Sequence, residues 1–312
     1  MGADADRAPA VLVILGATAT GKTAIAFEVA KRLDGEILSA DSRAFFAGLD
    51  IVTDKPATTQ RAAIRHHLVD RVPLDGDYDA MAFRRDVEEL VPEIAGRDRV
   101  PILVGGGTVY LGAVLHGLFE GPGRCPRIRE RLEVKSSQEL HDALREVDAA
   151  SAAAIHVNDR LRLVRALEVY EATGRPMSAW QRDAKPLPFP SLRIGLQRER
   201  EEHRGMIAAR VQAMIHNGLV DEAACLRELG LHPKMQAYRT IGVPEALACL
   251  DGRISSEEME ERIVRRTWTL ARRQIAWFRR DESVCWIDVS GRAAKDLAET
   301  IVETWQRWRE QG

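Results

Sequence analysis

The chain has 312 residues, 45% hydrophobic and 29% charged, an ordinary globular balance that excludes disordered, collagenous and coiled-coil architectures. Its 45 basic and 47 acidic side chains leave a net charge of −2, which excludes a uniformly basic nucleic-acid binder but not a local basic patch. The length suits one large domain or two. Cys125, Cys225, Cys249 and Cys285 are far apart and form neither a CxxC pair nor a zinc spacing, as expected in a reducing compartment. The opening MGADADRAPA has two acids and no basic region leading into an apolar one, so it does not read as a secretory signal. The apolar run at 11–15 is far too short to span a bilayer. The expectation is a cytoplasmic protein, monomeric by default, without a membrane partner.

Residues 11–15 (VLVIL) predict a buried strand and 22–33 a helix. Residues 36–40 predict a second strand that ends at Asp41. The stretch 41–79, broken by Gly48, Pro56, Pro73 and Gly76, predicts mostly loop. A helix over 80–96, a strand over 102–104 and a helix from about Thr108 follow. Strands alternating with helices predict a parallel sheet covered on both faces. The pattern changes near Gly121-Pro122-Gly123 and stays helical to about Pro190. There, Asn158 or Asp159 caps a helix carrying Leu163, Val164, Leu167 and Tyr170. Residues 185–190 read as a linker, 192–196 as a strand returning to the sheet, and 284–289 as a last strand before a terminal helix. The expected architecture is an α/β core of residues 1–120 and 191–312 with a mostly helical insertion at 121–190.

Gly16-Ala17-Thr18-Ala19-Thr20-Gly21-Lys22-Thr23 fits G-x-x-x-x-G-K-[ST] in the strand-to-helix context that motif requires. Its glycines let backbone N–H groups curl around phosphate oxygens, and the helix N-terminus adds positive charge. Lys22 adds a full charge, and Thr23 offers a hydroxyl to Mg2+. The motif points to a polyphosphate and leaves open whether it is transferred, hydrolysed or held. Asp41, at the carboxyl end of the second strand, belongs beside this loop. It suits a magnesium ligand, a general base or a turn cap.

Residues 262–280 carry seven arginines and no acid. Arg265, Arg272 and Arg279 are seven apart, as are Arg266, Arg273 and Arg280, which makes a basic helix face. Ile263, Leu270, Trp277 and Phe278 are expected to pack inward or flank it. The face suits RNA phosphates, or a solvated surface paired with the acids at 257–261. The insertion holds 12 basic and 10 acidic residues, a weak signal. Arg160, Arg162 and Arg165 suit RNA contact or pairing with Glu168 and Glu171. Trp180, Trp268 and Trp277 suit base stacking, with core packing the commoner role.

Several segments together resemble the tRNA dimethylallyltransferases (tRNA isopentenyltransferases). They are GATATGKT (16–23), DS…GLDI.T.KP (41–56), HHLVD (66–70), FRRD (83–86), PILVGG..VY (101–110), NDRLRLVRALEVYEATGRP (158–176), RV..M...GLV.E (210–222) and ARRQ..WFR (271–279). The resemblance runs along nearly the whole chain and implies a P-loop NTPase-like core. It implies that the loop holds dimethylallyl diphosphate, with Thr18, Lys22, Thr23 and Mg2+ on the departing pyrophosphate. Arg239 is a further diphosphate candidate. Asp41 matches the family's base for the adenine amine. The resemblance further implies that the acceptor is the adenine N6 next to the anticodon of tRNA, with the anticodon stem-loop as the partner. Ser42, Asp50, Thr53, Lys55, Tyr110, Arg165, Arg272, Arg273 and Gln274 become candidates for holding the substrate or tRNA.

The resemblance also has departures. Ala44, Phe46 and Ala47 replace a glutamine, a tyrosine and a basic residue, and Val52 and Asp54 stand where glycine and alanine are usual. Gly107 replaces a threonine, Val243-Pro244 a tyrosine and a basic residue, and Trp268 an arginine. Several of these lie where the family reads the nucleobase or closes over its substrates. They keep a second expectation in view, a prenyltransferase acting on a free adenine nucleotide or another small amine. A small-molecule kinase rests on the phosphate loop alone. A nonenzymatic RNA binder has no use for Lys22 and Asp41.

Overall fold

The computed structural model describes residues 8–119 and 121–311. Residues 1–7 of the N-terminal segment and Glu120, at the expected domain boundary, lie outside the described residues. The core opens with β1 (Val11–Gly16), buried at every position, and α1 (Lys22–Leu33). Next come β2 (Gly35–Ser39), α2 (Thr58–Ala63), the two-residue β3 (His66–His67), α3 (Ala80–Ala95) and β4 (Val100–Gly105). The stretch expected to be loop thus contains α2 and β3. Both are too short for a period to emerge from sequence, and β3 exists through its pairing with β2, where His66 faces Ile37.

Helix α4 (Thr108–Leu115) leads into α5 (Pro126–Glu133), α6 (Ser137–Val147), α7 (Ala149–Ala154), α8 (Arg160–Thr173) and α9 (Met177–Asp183). The chain returns as β5 (Ser191–Gln197), then α10 (Arg200–His216), α11 (Leu219–Glu228), α12 (Val243–Leu250), α13 (Ser256–Phe278), β6 (Val284–Asp288) and α14 (Ala294–Gln311). Among the described residues no helix is long and apolar enough to cross a membrane.

The chain divides into two compact units, residues 1–111 with 188–312, and residues 112–187. In the larger, six parallel strands run in the order β3-β2-β4-β1-β5-β6. Leu12 stands opposite Ile102 on one side and Leu192 on the other. A parallel strand covered on both faces must be apolar throughout, which is why β1 reads as an unbroken aliphatic run. Ile25, Ala26 and Val29 of α1 pack with Ile14, Ile194 and, from α14, Ile301 and Trp305. A second cluster joins Phe46, Leu49 and Val52 to Val211, Leu219, Val243 and Ile263 of α10–α13.

The smaller unit has its own core of Leu140, Leu144, Leu163, Val164, Leu167 and Met177. Asp159 is the cap of α8, its carboxylate accepting from the Arg162 N–H. The fully buried Glu168 accepts from Arg129 at 2.8 and 2.9 Å, from Arg165 at 2.8 Å and from the Cys125 N–H at 2.7 Å. Burial pushes the Glu168 carboxyl up. Arg129, the Cys125 N–H and Arg165 outweigh that and hold it down at about 2. Arg160 donates to the Glu133 carbonyl, Arg162 pairs with Asp159, and Arg131 pairs with Glu171. Trp180 stacks on Phe119 with the Arg175 guanidinium over its ring.

Candidate active site

The strand order reverses at β1, because the chain goes from β1 outward to β2 and later returns to β5 on β1's other side. Ligands of open parallel sheets sit outside the carboxyl ends of the strands at such a point. A cavity of ≈ 1170 Å³ opens there, lined by the phosphate loop, the ends of β2 and β4, and residues of α10 and α13. That lies just above the range of about 300–1,000 Å³ usual for small-molecule pockets.

The loop reaches α1 through Ala19 (φ 61°) and Gly21 (φ 90°), both left-handed. Gly21 is the cap of α1 and provides no side-chain hydrogen bond, so the first N–H groups of α1 have no side-chain acceptor there. Such an uncapped end favours an anion. Thr18, Ala19, Gly21, Lys22 and Thr23 line the cavity, whereas Gly16, Ala17 and Thr20 are buried beneath it. The Thr20 hydroxyl is turned back onto the Ala17 carbonyl at 2.8 Å, and the Lys22 ammonium rests on the same oxygen at 2.5 Å. Burial pushes Lys22 down to about 7, Asp41 opposes this, and Arg210 reinforces it.

Thr18 is held by three distant side chains. Its N–H donates to Gln274 Oε1 (2.9 Å), its carbonyl accepts from His203 Nε2 (2.8 Å), and its hydroxyl oxygen accepts from Arg210 (2.7 Å). A hydroxyl that accepts from a guanidinium keeps its own proton for donation. Asp41 is exposed on the cavity wall, and its Oδ1 accepts from the Arg43 N–H at 2.9 Å. Gly107 donates its N–H to the Ala40 carbonyl at 3.1 Å, and a Cβ there would meet that oxygen at 2.6 Å. The threonine expected at this position therefore does not fit without a shift of the backbone beside Asp41.

Ser42, Asp50, Thr53, Lys55, Tyr110, Arg239 and Gln274 also line the cavity. For several of them the hydrogen bonds assign scaffolding in place of the expected substrate contact. The Lys55 side chain is 2% exposed, and its ammonium is held by the Phe46 carbonyl, Asp50 and Asp70. Tyr110 donates to the Tyr78 carbonyl at 2.7 Å, and Thr53 donates to the Leu49 carbonyl. The Gln274 amide donates to the Gly106 carbonyl at 2.7 Å while its oxygen takes the Thr18 N–H, so it joins the two loops. Arg165 lies in the smaller unit on Glu168. Arg272 and Arg273 are exposed on α13 outside the cavity.

Helix α13 divides its faces. Ile263, Thr267, Leu270 and Gln274 line the cavity, while Arg265, Arg266, Arg272 and Arg273 are exposed. Leu270, expected to pack inward or to flank the basic face, is 39% exposed on that wall. Only part of the basic run is paired, with Arg266 on Glu245 and Arg262 on Glu258. Sequence reasoning passed over Arg210 and Glu222. Arg210 lines the cavity, bonds Thr18 and the Thr53 carbonyl, and lies 3.5 Å from Asp54. Glu222 accepts the N–H groups of Asp50, Ile51 and Val52 and so shapes the loop that carries them. Both stand in the RV..M...GLV.E segment, which was the available signal.

The sequence profile of the IPP transferase family matches residues 44–281. The chain belongs to the IPP transferase family. Its relatives include a tRNA dimethylallyltransferase of Roseiflexus sp., 40% identical over 301 residues, covering 95% of this chain and 98% of that protein. Another, from Geobacter sulfurreducens, is 37% identical over 294 residues and covers 92% and 94% of the two chains. The crystal structure of the tRNA isopentenylpyrophosphate transferase of Bacillus halodurans aligns over 97% of each chain, with 33% identity and a TM-score of 0.73. A eukaryotic dimethylallyltransferase acting on tRNA aligns over 95% of this chain and 77% of its own, with 25% identity and a TM-score of 0.78.

Against this family the departures fall into two groups. Phe46 and Val243 are fully buried in the helical cluster and do not line the cavity, so they act through packing. Ala44, Val52, Asp54 and Gly107 do line it. Val52 packs against Gly242, where an added Cβ would meet it at 2.6 Å. Pro244 is the second residue of α12, in the first turn, where its missing N–H costs no intrahelical hydrogen bond and its fixed φ suits a helix. Trp268 stands edge-on to His203. Trp277 packs edge-on against Phe278, which is buried.

Proposed function

We propose that this IPP transferase family member moves the dimethylallyl group of dimethylallyl diphosphate to the N6 amine of an adenine beside the anticodon of tRNA, releasing pyrophosphate. One observation carries the reading. A single cavity contains both an uncapped, lysine-bearing phosphate loop and, on its wall, the exposed carboxylate of Asp41. The names borne by the relatives support the same acceptor over a free nucleotide.

The C1–O bond of the donor breaks and its electron pair leaves with pyrophosphate. Lys22, the Thr18 hydroxyl and the N-terminus of α1 stabilise the charge that develops there. The adenine nitrogen forms the new bond to C1. Its lone pair is delocalised into the ring, so it attacks poorly until a proton leaves. Asp41 accepts that proton as the bond forms. Holding amine and allylic carbon together supplies much of the remaining acceleration.

Magnesium suits the donors present. Mg2+ favours a hydroxyl or carboxylate, substrate phosphates and waters, and Thr23 and Asp41 are both exposed on the lining of the cavity. When bound by Thr23 and the diphosphate, it would supply further neutralisation of the leaving group. Among the described residues no group of three or more His, Cys, Asp or Glu side chains is arranged to hold a metal ion. Arg239 borders the cavity as a second diphosphate contact. The exposed arginines of α13, Arg272 and Arg273 among them, are assigned to tRNA phosphates, and residues 121–190 to an RNA-contacting domain. The enzyme works in the cytoplasm as a monomer under this reading.

The test is transfer of label from dimethylallyl diphosphate with Mg2+ to unmodified tRNA, an anticodon stem-loop, AMP and ATP in parallel. Labelled adenine in tRNA and the stem-loop alone is the expected result. Label in a mononucleotide, or in none of the four, would reject the acceptor.

A further inference from the structure

His203 lies on α10, two turns before Arg210, and is 1% exposed. A carbonyl only accepts hydrogen bonds, so the 2.8 Å contact to the Thr18 oxygen means that Nε2 carries a proton and donates it. The imidazole also packs edge-on with Trp268 of α13, with ring centroids 5.6 Å apart and planes at 85°. Beneath the loop, Ala17, Ile207 and Ala271 form a small buried cluster with Trp268 and Ile275 packed on it. Apolar contact of this kind holds the loop down but does not set its orientation, because it is non-directional.

The directional contacts are the three on Thr18. Arg210 takes the hydroxyl and Gln274 takes the N–H. Among the described residues only His203 takes the carbonyl, and that oxygen shares a peptide plane with the N–H of Ala19. In a trans peptide the two point in opposite directions. With the carbonyl drawn toward α10, the Ala19 N–H is turned the other way, and Ala19 lines the cavity. Ala19 adopts φ 61°, a conformation that a residue with a Cβ avoids unless its surroundings impose it.

We propose that His203 is a positioning residue for the donor. By fixing the Thr18–Ala19 peptide it aims the Ala19 N–H at the diphosphate. The inference rests on the function proposed above. It uses a pairing of His203 with Trp268, at a position where this chain departs from the family's usual arginine.

Three variants separate aiming from filling space. His203→Gln carries an amide N–H that reaches the same carbonyl. His203→Asn carries the same group on a shorter arm, and His203→Leu has no donor. The measurements are pyrophosphate affinity by calorimetry with Mg2+, KM for dimethylallyl diphosphate against kcat, and tRNA affinity without donor. His203→Leu and His203→Asn are expected to weaken pyrophosphate binding and raise the donor KM about tenfold, the effect of one hydrogen bond. His203→Gln is expected to recover most of that loss, with tRNA affinity unchanged in all three. If His203→Leu does not fold, the contrast of His203→Gln with His203→Asn decides the matter alone. Equal effects of Gln and Asn, or wild-type pyrophosphate affinity in His203→Leu, would overturn the inference. Wild-type protein that neither binds pyrophosphate nor transfers a prenyl group would instead reject the reading of the site.

Discussion

Raising the pH from about 7 to about 9 is expected to weaken magnesium pyrophosphate binding by about a hundredfold through Lys22. Burial is the main cause holding this ammonium at about 7, where an ordinary lysine titrates at 10.5. A bound diphosphate restores the higher value, because an opposite charge favours the charged form. Binding above pH 7 is then linked to uptake of one proton by Lys22. The affinity contributed by its charge is fully present below about 7 and lost as the pH rises. Each unit costs about 1.4 kcal/mol, so two units cost about 2.7 kcal/mol. Calorimetry in buffers of different ionisation enthalpy counts the protons directly. The ligand's own titration is common to every variant and is removed by comparison with Lys22→Met. That variant should bind weakly at all pH values without the extra proton. Equal proton uptake by wild type and Lys22→Met would refute the argument.

Other outcomes test the remaining assignments. Asp41→Asn should lower the single-turnover transfer rate about 10²–10⁴-fold, measured by rapid quench, and an unchanged rate would leave Asp41 a turn residue. Replacing Arg272 and Arg273 together by alanine should reduce the salt dependence of log K for tRNA by roughly 1–2, and an unaltered slope would return them to the solvated surface. Glu168→Gln should destabilise the smaller unit by about 1.5–3 kcal/mol, since it removes the charge from the hydrogen bonds to the partly exposed Arg129 and Arg165. Hydrogen exchange of α5 and α8 would show it. Because the folded Glu168 titrates at about 2 against an ordinary 4.5, its contribution is present above 4.5 and disappears as pH falls toward 2. Burial holds His66 and His203 below their ordinary 6.5, so unfolding takes up protons beneath that value. Stability should therefore fall as pH drops through 6.5 and level off once the folded imidazoles protonate. Denaturant melts of wild type and His203→Gln would show a shallower slope in the variant.

Much of this protein was legible in its residues. The aliphatic run of β1, the Gly-rich turn and the helical period of α1 place a phosphate loop, because each depends on neighbours within a few positions. Asp41 at the end of β2 and Asp159 at the start of α8 were readable for the same reason, as strand ends and helix caps are local. The two-residue β3 was not, since it has no period of its own and depends on β2. Nor could spacing tell which candidate polar groups remained available to a ligand. Lys55 is held by Asp70 and Tyr110 by the Tyr78 carbonyl, whereas the Thr18 hydroxyl accepts from Arg210 and keeps its own proton for a ligand. Hydrogen-bonding capacity belongs to a residue type, but its use depends on partners brought together by the fold. The arginine-rich helix makes the same point. Its heptad spacing was plain in sequence, yet its packing alone turned Thr267, Leu270 and Gln274 to the cavity and left Arg272 and Arg273 facing solvent.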